Sequence, residues 1–121
     1  MLNLDTHVLI DAVEGRLRPD EQRLLADDFW CISDMVLWEI GFLARERRIR
    51  LSVDDPRLWK VVDEITVWPT TLQTARLLGQ LDFRSDPVNE MVAVTSILHD
   101  APLVTRDARI LGSKMVPFAL G

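Results

Sequence analysis

Short apolar runs alternate with longer amphipathic stretches along the whole chain, and this alternation constrains the fold more than any other feature of the sequence. Runs of three to five residues cannot each bury a face alone. Separated by helix-length segments, they predict a parallel sheet wrapped by helices. Leu2-Asn3-Leu4 reads as a first strand, and Asp5 then caps a helix that runs to about Glu14 and stops at Gly15. Pro19 opens a second helix at the position where its missing N–H costs nothing. Phe29–Ile32 predicts the second strand, followed by Ser33 as N-cap of a long helix reaching about Arg47. Asp55-Pro56 starts another helix, Thr66–Trp68 is a third strand, and Thr70–Leu81 is helical. Asp86-Pro87 begins a helix ending near Asp100, Pro102–Thr105 is the fourth strand, and Met115–Phe118 is a candidate fifth. With 121 residues, 48% of them hydrophobic, and no repeat or Gly/Ser linker, residues 1–121 are expected to form a single domain.

Composition excludes several classes. No apolar stretch is long enough to span a bilayer, and the start lacks the pattern of a secretory signal, so no membrane partner is expected. A lone cysteine, Cys31, lies in an apolar run and reads as buried packing, which predicts a reducing, cytoplasmic setting. The net charge of −5 argues against binding nucleic acid by global electrostatics, although bound divalent cations can supply positive charge locally. Arg45, Arg47, Arg48 and Arg50 crowd one segment, readable as a solvated helix end or as a phosphate- or partner-contacting patch. Two histidines, His7 and His99, are too few for a histidine metal site, and neither a nucleophile elbow nor a glycine-rich phosphate loop is present. Trp30, Trp38, Trp59 and Trp68 have the faces to stack RNA bases, but each has apolar neighbours and reads rather as core or interface packing.

The acids carry the chemistry. In open parallel sheets ligands gather beyond the carboxyl ends of strands, where Asp5 and Asp107 fall. Glu39 has Met35, Val36, Phe42 and Leu43 as its helical neighbours, so it projects from an otherwise apolar stripe. An unpaired carboxylate there costs several kcal/mol and needs an arginine, a proton or a metal ion. Asp11 and Glu14, near Asp5 on the first helix, read as solvated helix charge. Carboxylates sharing one site repel unless a cation lies between them, and an all-oxygen set suits Mg²⁺ or Mn²⁺. Such clusters serve phosphodiester hydrolysis.

Four segments resemble the motifs of the PIN-domain ribonucleases, in particular the VapC-type toxins of toxin–antitoxin pairs. These are Leu2–Ile10, with Asp5-Thr6; Ile32–Ile40, ending in Trp38-Glu39-Ile40; Asp86–Ser96; and Ala101–Asp107. They come in the family's order and spacing and cover nearly the whole chain. The resemblance implies a three-layer α/β/α PIN-like fold with a central parallel sheet of about four to five strands. It implies a homodimer, Mg²⁺ or Mn²⁺, and endonucleolytic cleavage of an RNA substrate, and also a cognate VapB-type antitoxin that blocks the site and binds DNA. The family's first, second and fourth acids fall on Asp5, Glu39 and Asp107, and its supporting hydroxyls on Thr6 and Thr105. The third acid falls on Asn89, an amide that offers a carbonyl oxygen but no charge and no base, which weakens cation binding. Asp86, on the same helix face, is a candidate substitute, though Asp before Pro is also a standard helix cap; Glu90 is turned about 100° from Asn89 and substitutes less well. Asn89 also opens a second reading, a catalytically silent PIN-fold binding protein acting through antitoxin or RNA contacts. A phosphoacceptor signalling domain fits poorly, because Asp5 has no paired acid beside it and the third strand ends in Trp68-Pro69.

Overall fold

The computed structural model describes residues 1–120 and follows the predicted alternation. The elements are β1 (Leu2–Leu4), α1 (Thr6–Glu14), α2 (Pro19–Ala26), β2 (Trp30–Ser33), α3 (Asp34–Arg45), α4 (Pro56–Glu64), β3 (Thr66–Trp68), α5 (Leu72–Leu78), α6 (Pro87–His99), β4 (Leu103–Val104) and α7 (Ala108–Leu111). The four strands form one sheet in the order β3-β2-β1-β4, flanked by helices, and every pairing is parallel. The chain therefore works outward from β1 to β3 and then returns to the other side of β1. That reversal between β1 and β4 is a topological switch point, where a crevice opens at the carboxyl ends of the strands.

The core is the one the apolar runs demand. Leu4, Leu9, Ile32, Val36, Val92, Val104 and Ile110 are fully buried. Asn3 is fully buried too, in the middle of β1. A buried amide without partners costs several kcal/mol. Its Nδ2 meets that demand by donating to the Val92 carbonyl at 3.0 Å and to Ser96 Oγ at 2.8 Å. This polar pin sets the depth of α6 against β1. Cys31 is buried beside it, as expected, with its thiol 3.9 Å from the Asn3 side-chain oxygen.

Several local expectations change, the fourth strand among them, which contracts from Pro102–Thr105 to Leu103–Val104. The second strand starts at Trp30, and Phe29 is 80% exposed. The fifth strand reduces to one bridge between Leu103 and Phe118, because Pro117 accepts from Leu103 N but has no N–H for a ladder. The helix expected over Thr70–Leu81 contracts to Leu72–Leu78 between the Thr71 cap and Gly79. The long helix ends at Arg45 instead of Arg47. There Arg47 takes φ 56, its N–H donates to Ala44 O, and Arg48 N–H donates to Leu43 O, which closes the helix in a Schellman turn. A short helix, α7, follows Asp107, whose Oδ1 accepts from Arg109 and Ile110 N–H. No helix is long and apolar enough to cross a membrane among the described residues.

Candidate active site

The crevice at the switch point is a pocket of about 840 Å³. Asp5, Glu39, Asp86, Asn89 and Asp107 all line it, so three strand or helix ends that are remote in sequence converge there. Asp5 is the residue after β1 and caps α1: its Oδ1 accepts from Thr6 N–H at 2.8 Å. Its other oxygen accepts from Thr105 Oγ1 at 2.7 Å, across 100 residues of chain. The same Thr105 hydroxyl accepts from Asp107 N–H at 3.1 Å. Thr105 thus ties the ends of β1 and β4 into one rigid unit carrying two carboxylates.

Glu39 is half-buried on α3. Its apolar neighbours Met35, Phe42 and Leu43 form a wall of the pocket beside it, while Val36 goes to the core. The inward-facing acid thus points into a cavity. Among the described residues no arginine or lysine pairs with it, which removes the ion-pair explanation left open by the pattern. Trp38, on the same stretch, is 57% exposed and stacks on Phe42 with ring centroids 5.3 Å apart. Trp59 is 63% exposed. For these two tryptophans core packing fails, since both sit on exposed faces of α3 and α4, which leaves the interface half of the expectation untouched.

Asn89 stands at the head of α6, turned toward the acids. Its Nδ2 lies 3.0 Å from Ser85 Oγ, 3.1 Å from Asp86 Oδ2 and 3.3 Å from Asp107 Oδ2. The amide therefore presents its donor, and a half-turn about the last side-chain bond is needed to present the carbonyl oxygen. Asp86 is the N-cap of α6, accepting from Asn89 N–H at 2.9 Å, and also lines the pocket. Glu90 turns away and accepts from Ser85 N–H.

Arg106, flanked by Thr105 and Asp107, directs its guanidinium elsewhere. It forms a fork on Glu21, with Nη2 at 2.6 Å and Nε at 2.8 Å, and Nη1 reaches Asp11 at 2.7 Å. Glu21 is 2% exposed and also caps the Arg18 N–H. Asp11, expected as solvated helix charge, is instead part of this ion pair. The triad escapes sequence reading because Glu21 looks like an ordinary first-turn acid of α2. Its one trace is the capping-box spacing from Arg18.

The pocket is an unfavourable place for bare carboxylate charge. Burial pushes the Asp5 carboxyl above its ordinary value, against the hydrogen bonds from Thr105 and Thr6, and the Asp107 charge adds to the rise. Burial also raises Glu39, with the Asp86 and Asp5 charges adding. The buried Thr6 hydroxyl faces Glu39 and opposes that rise. All the donors are hard oxygens, and the set fits Mg²⁺ or Mn²⁺. No three His, Cys, Asp or Glu side chains among the described residues already stand close enough to form a metal cluster. The fourth corner here is an amide, which itself bridges Asp86 and Asp107.

A raised carboxyl pKa has a defined sign for stability. Between the ordinary and the raised value the folded chain holds more protons than the unfolded one, so the metal-free protein loses stability as pH rises through that window. Asp5→Asn keeps a capping side chain and removes the buried charge. Its expected result at pH 7 is a metal-free melting temperature about 3–5 °C above the parent's, together with a smaller rise on adding Mn²⁺. Thermal melts with and without the ion check both.

The comparisons bear on the family and the fold. Residues 3–112 match the family model described as the PIN domain. No curated protein matches the chain in sequence. Among solved structures, VapBC2 from Rickettsia felis, bound to a DNA fragment from its promoter, superposes with a TM-score of 0.70 at 16% identity, covering 98% of this chain and 97% of that one. A toxin–antitoxin complex from Klebsiella pneumoniae superposes with a TM-score of 0.69 at 19% identity, covering 93% and 91%. At these identities the superpositions speak for the fold. The family match spans almost the whole chain, and the chain belongs to the PIN domain family.

Proposed function

We propose that the protein is a metal-dependent endoribonuclease toxin of the VapC type, working in the cytoplasm as a homodimer and silenced by a cognate VapB-type antitoxin. The observation that carries this reading is the convergence of Asp5, Glu39, Asn89 and Asp107 on one pocket, with Thr105 fastening Asp5 to the Asp107 backbone. The antitoxin assignment is supported by two structural neighbours, one described as a toxin–antitoxin complex and the other as VapBC2 bound to a fragment of its promoter.

Asp5, Glu39 and Asp107 would hold Mg²⁺ or Mn²⁺, with Asn89 contributing once its amide turns. The bound ion supplies positive charge against the phosphate oxygens and a lowered pKa for water. The chain's own work is positional. Thr105 keeps Asp5 and Asp107 in register, and the Thr6 N–H fixes the Asp5 carboxylate plane. The Trp38–Phe42 pair walls the pocket beside Glu39 and offers an aromatic face to a base of the scissile dinucleotide.

Thr105→Val removes the link between the two strand ends and nothing else of similar size. Cleavage of a quenched fluorescent RNA in Mn²⁺ is expected to fall about 10–100-fold while the fold persists, the usual cost of losing a group that orients metal ligands. If the parent protein gives no metal-dependent fragments, or the valine variant cleaves at the parent's rate, the reading fails. A silent PIN-fold binding protein is the second reading, favoured by the Asn89 amide donating to Asp86 and Asp107.

A further inference from the structure

The acidic pocket does not end at the acids. His7 and Arg48 line it and also line a second cleft, which continues over Arg16, Arg47 and Arg50. We propose that this cleft is the track for the sugar–phosphate backbone of single-stranded RNA flanking the scissile bond, a reading that rests on the nuclease function above.

Three observations point to it. The arginines are available: within the segment Arg45 makes an ion pair, with Glu46, whereas Arg47, Arg48 and Arg50 are exposed and make none among the described residues. The cleft's own acids do not cancel them. Asp11 is committed to Arg106 at 2.7 Å and lies 3.9 Å from Arg16, leaving Glu14 against the rest. The backbone is also bent to present them. Arg47 holds φ 56, a conformation that favours glycine, and the resulting Schellman turn reverses the chain so that Arg47, Arg48 and Arg50 line one cleft beside α1.

The chemistry favours RNA over an acidic peptide. A chain with net charge −5 repels a polyanion everywhere except where cations are concentrated, so an entrance is needed next to the site where a phosphodiester must sit. Flexible exposed arginines suit phosphates, which ask for charge and register. A peptide partner is usually anchored by apolar side chains in well-packed pockets, and the apolar residues lining this cleft are Ile10 and Ile49.

The test is the salt dependence of affinity for a fluorescent single-stranded RNA 12-mer in Ca²⁺. The parent is compared with Arg47→Gly/Arg48→Ala/Arg50→Ala, in which glycine relaxes the positive φ, and with Arg48→Lys/Arg50→Lys. Each lost phosphate contact makes the slope of log K against log salt shallower by about 0.7, so the triple variant is expected to lose about two units and the lysine variant almost none. Hydrolysis of bis(p-nitrophenyl) phosphate by the parent in Mn²⁺ reads the chemistry separately. Hydrolysis with an unchanged slope in the triple variant sinks the track and leaves the nuclease reading standing. No hydrolysis with a slope two units shallower does the reverse. A parent that fails to bind the RNA, or that holds poly-glutamate as tightly with the same dependence on the arginines, overturns the track in favour of no ligand or of an acidic polypeptide.

Discussion

Asn89→Asp is expected to speed Mn²⁺-dependent RNA cleavage by about 10–100-fold, the range by which changes around a metal site alter affinity or rate. In the parent the Asn89 amide sits 3.1 Å from Asp86 and 3.3 Å from Asp107, donating to both, and so occupies electrostatically the place of a weak cation. A carboxylate there reverses the contact. Without metal, three acids face one another and the variant melts below the parent. With metal, the added charge tightens binding, and a tenfold gain in affinity corresponds to about 1.4 kcal/mol of extra stabilisation at saturating ion. The signature is therefore a crossing: lower melting temperature in EDTA, larger rise in Mn²⁺, faster cleavage. A folded variant with the parent's rate and the parent's metal-induced shift would remove Asn89 from the site.

Arg106→Ala is expected to cost about 3 kcal/mol in chemical denaturation, the low end for a buried acid stripped of its partner, since Arg106 keeps part of its side chain in water. Glu21 is 2% exposed and has few ways to recover solvent. The Arg106 hydrogen bonds hold its carboxyl below the ordinary value. That stabilisation is present above the unfolded carboxylate pKa and lost as pH falls through the folded one, so the gap between parent and variant narrows on acidification. Glu21→Gln in the Arg106→Ala background should recover part of the loss by removing the stranded charge. A cost below 1 kcal/mol for Arg106→Ala, or a gap that widens in acid, contradicts the account.

What the sequence disclosed was what local physics controls. Leu2–Leu4, Trp30–Ser33 and Leu103–Val104 are strands because short apolar runs have nowhere else to go, and Asp5 and Asp107 follow from where those strands stop. Glu39 stood out because an acid among Met35, Val36, Phe42 and Leu43 needs a reason. Long-range partnership was hidden. Nothing near Glu21 announces that Arg106 will fork onto it across 85 residues. The rotation of the Asn89 amide depends on acceptors that only the folded chain assembles, and Trp38 and Trp59 sit among apolar residues while facing outward. The candidate fifth strand failed on one atom, the N–H that Pro117 lacks.

The sequence separation of 100 between Asp5 and Thr105 also governs when the pocket comes into being. β4 docks beside β1 although a long stretch of chain separates them, so a polypeptide truncated before Leu103 carries Asp5 and Glu39 but neither Thr105 nor Asp107. Such a fragment lacks the hydroxyl that holds the Asp5 carboxylate and the acid that faces it across the pocket, so the site forms only when both ends of the sheet are in place.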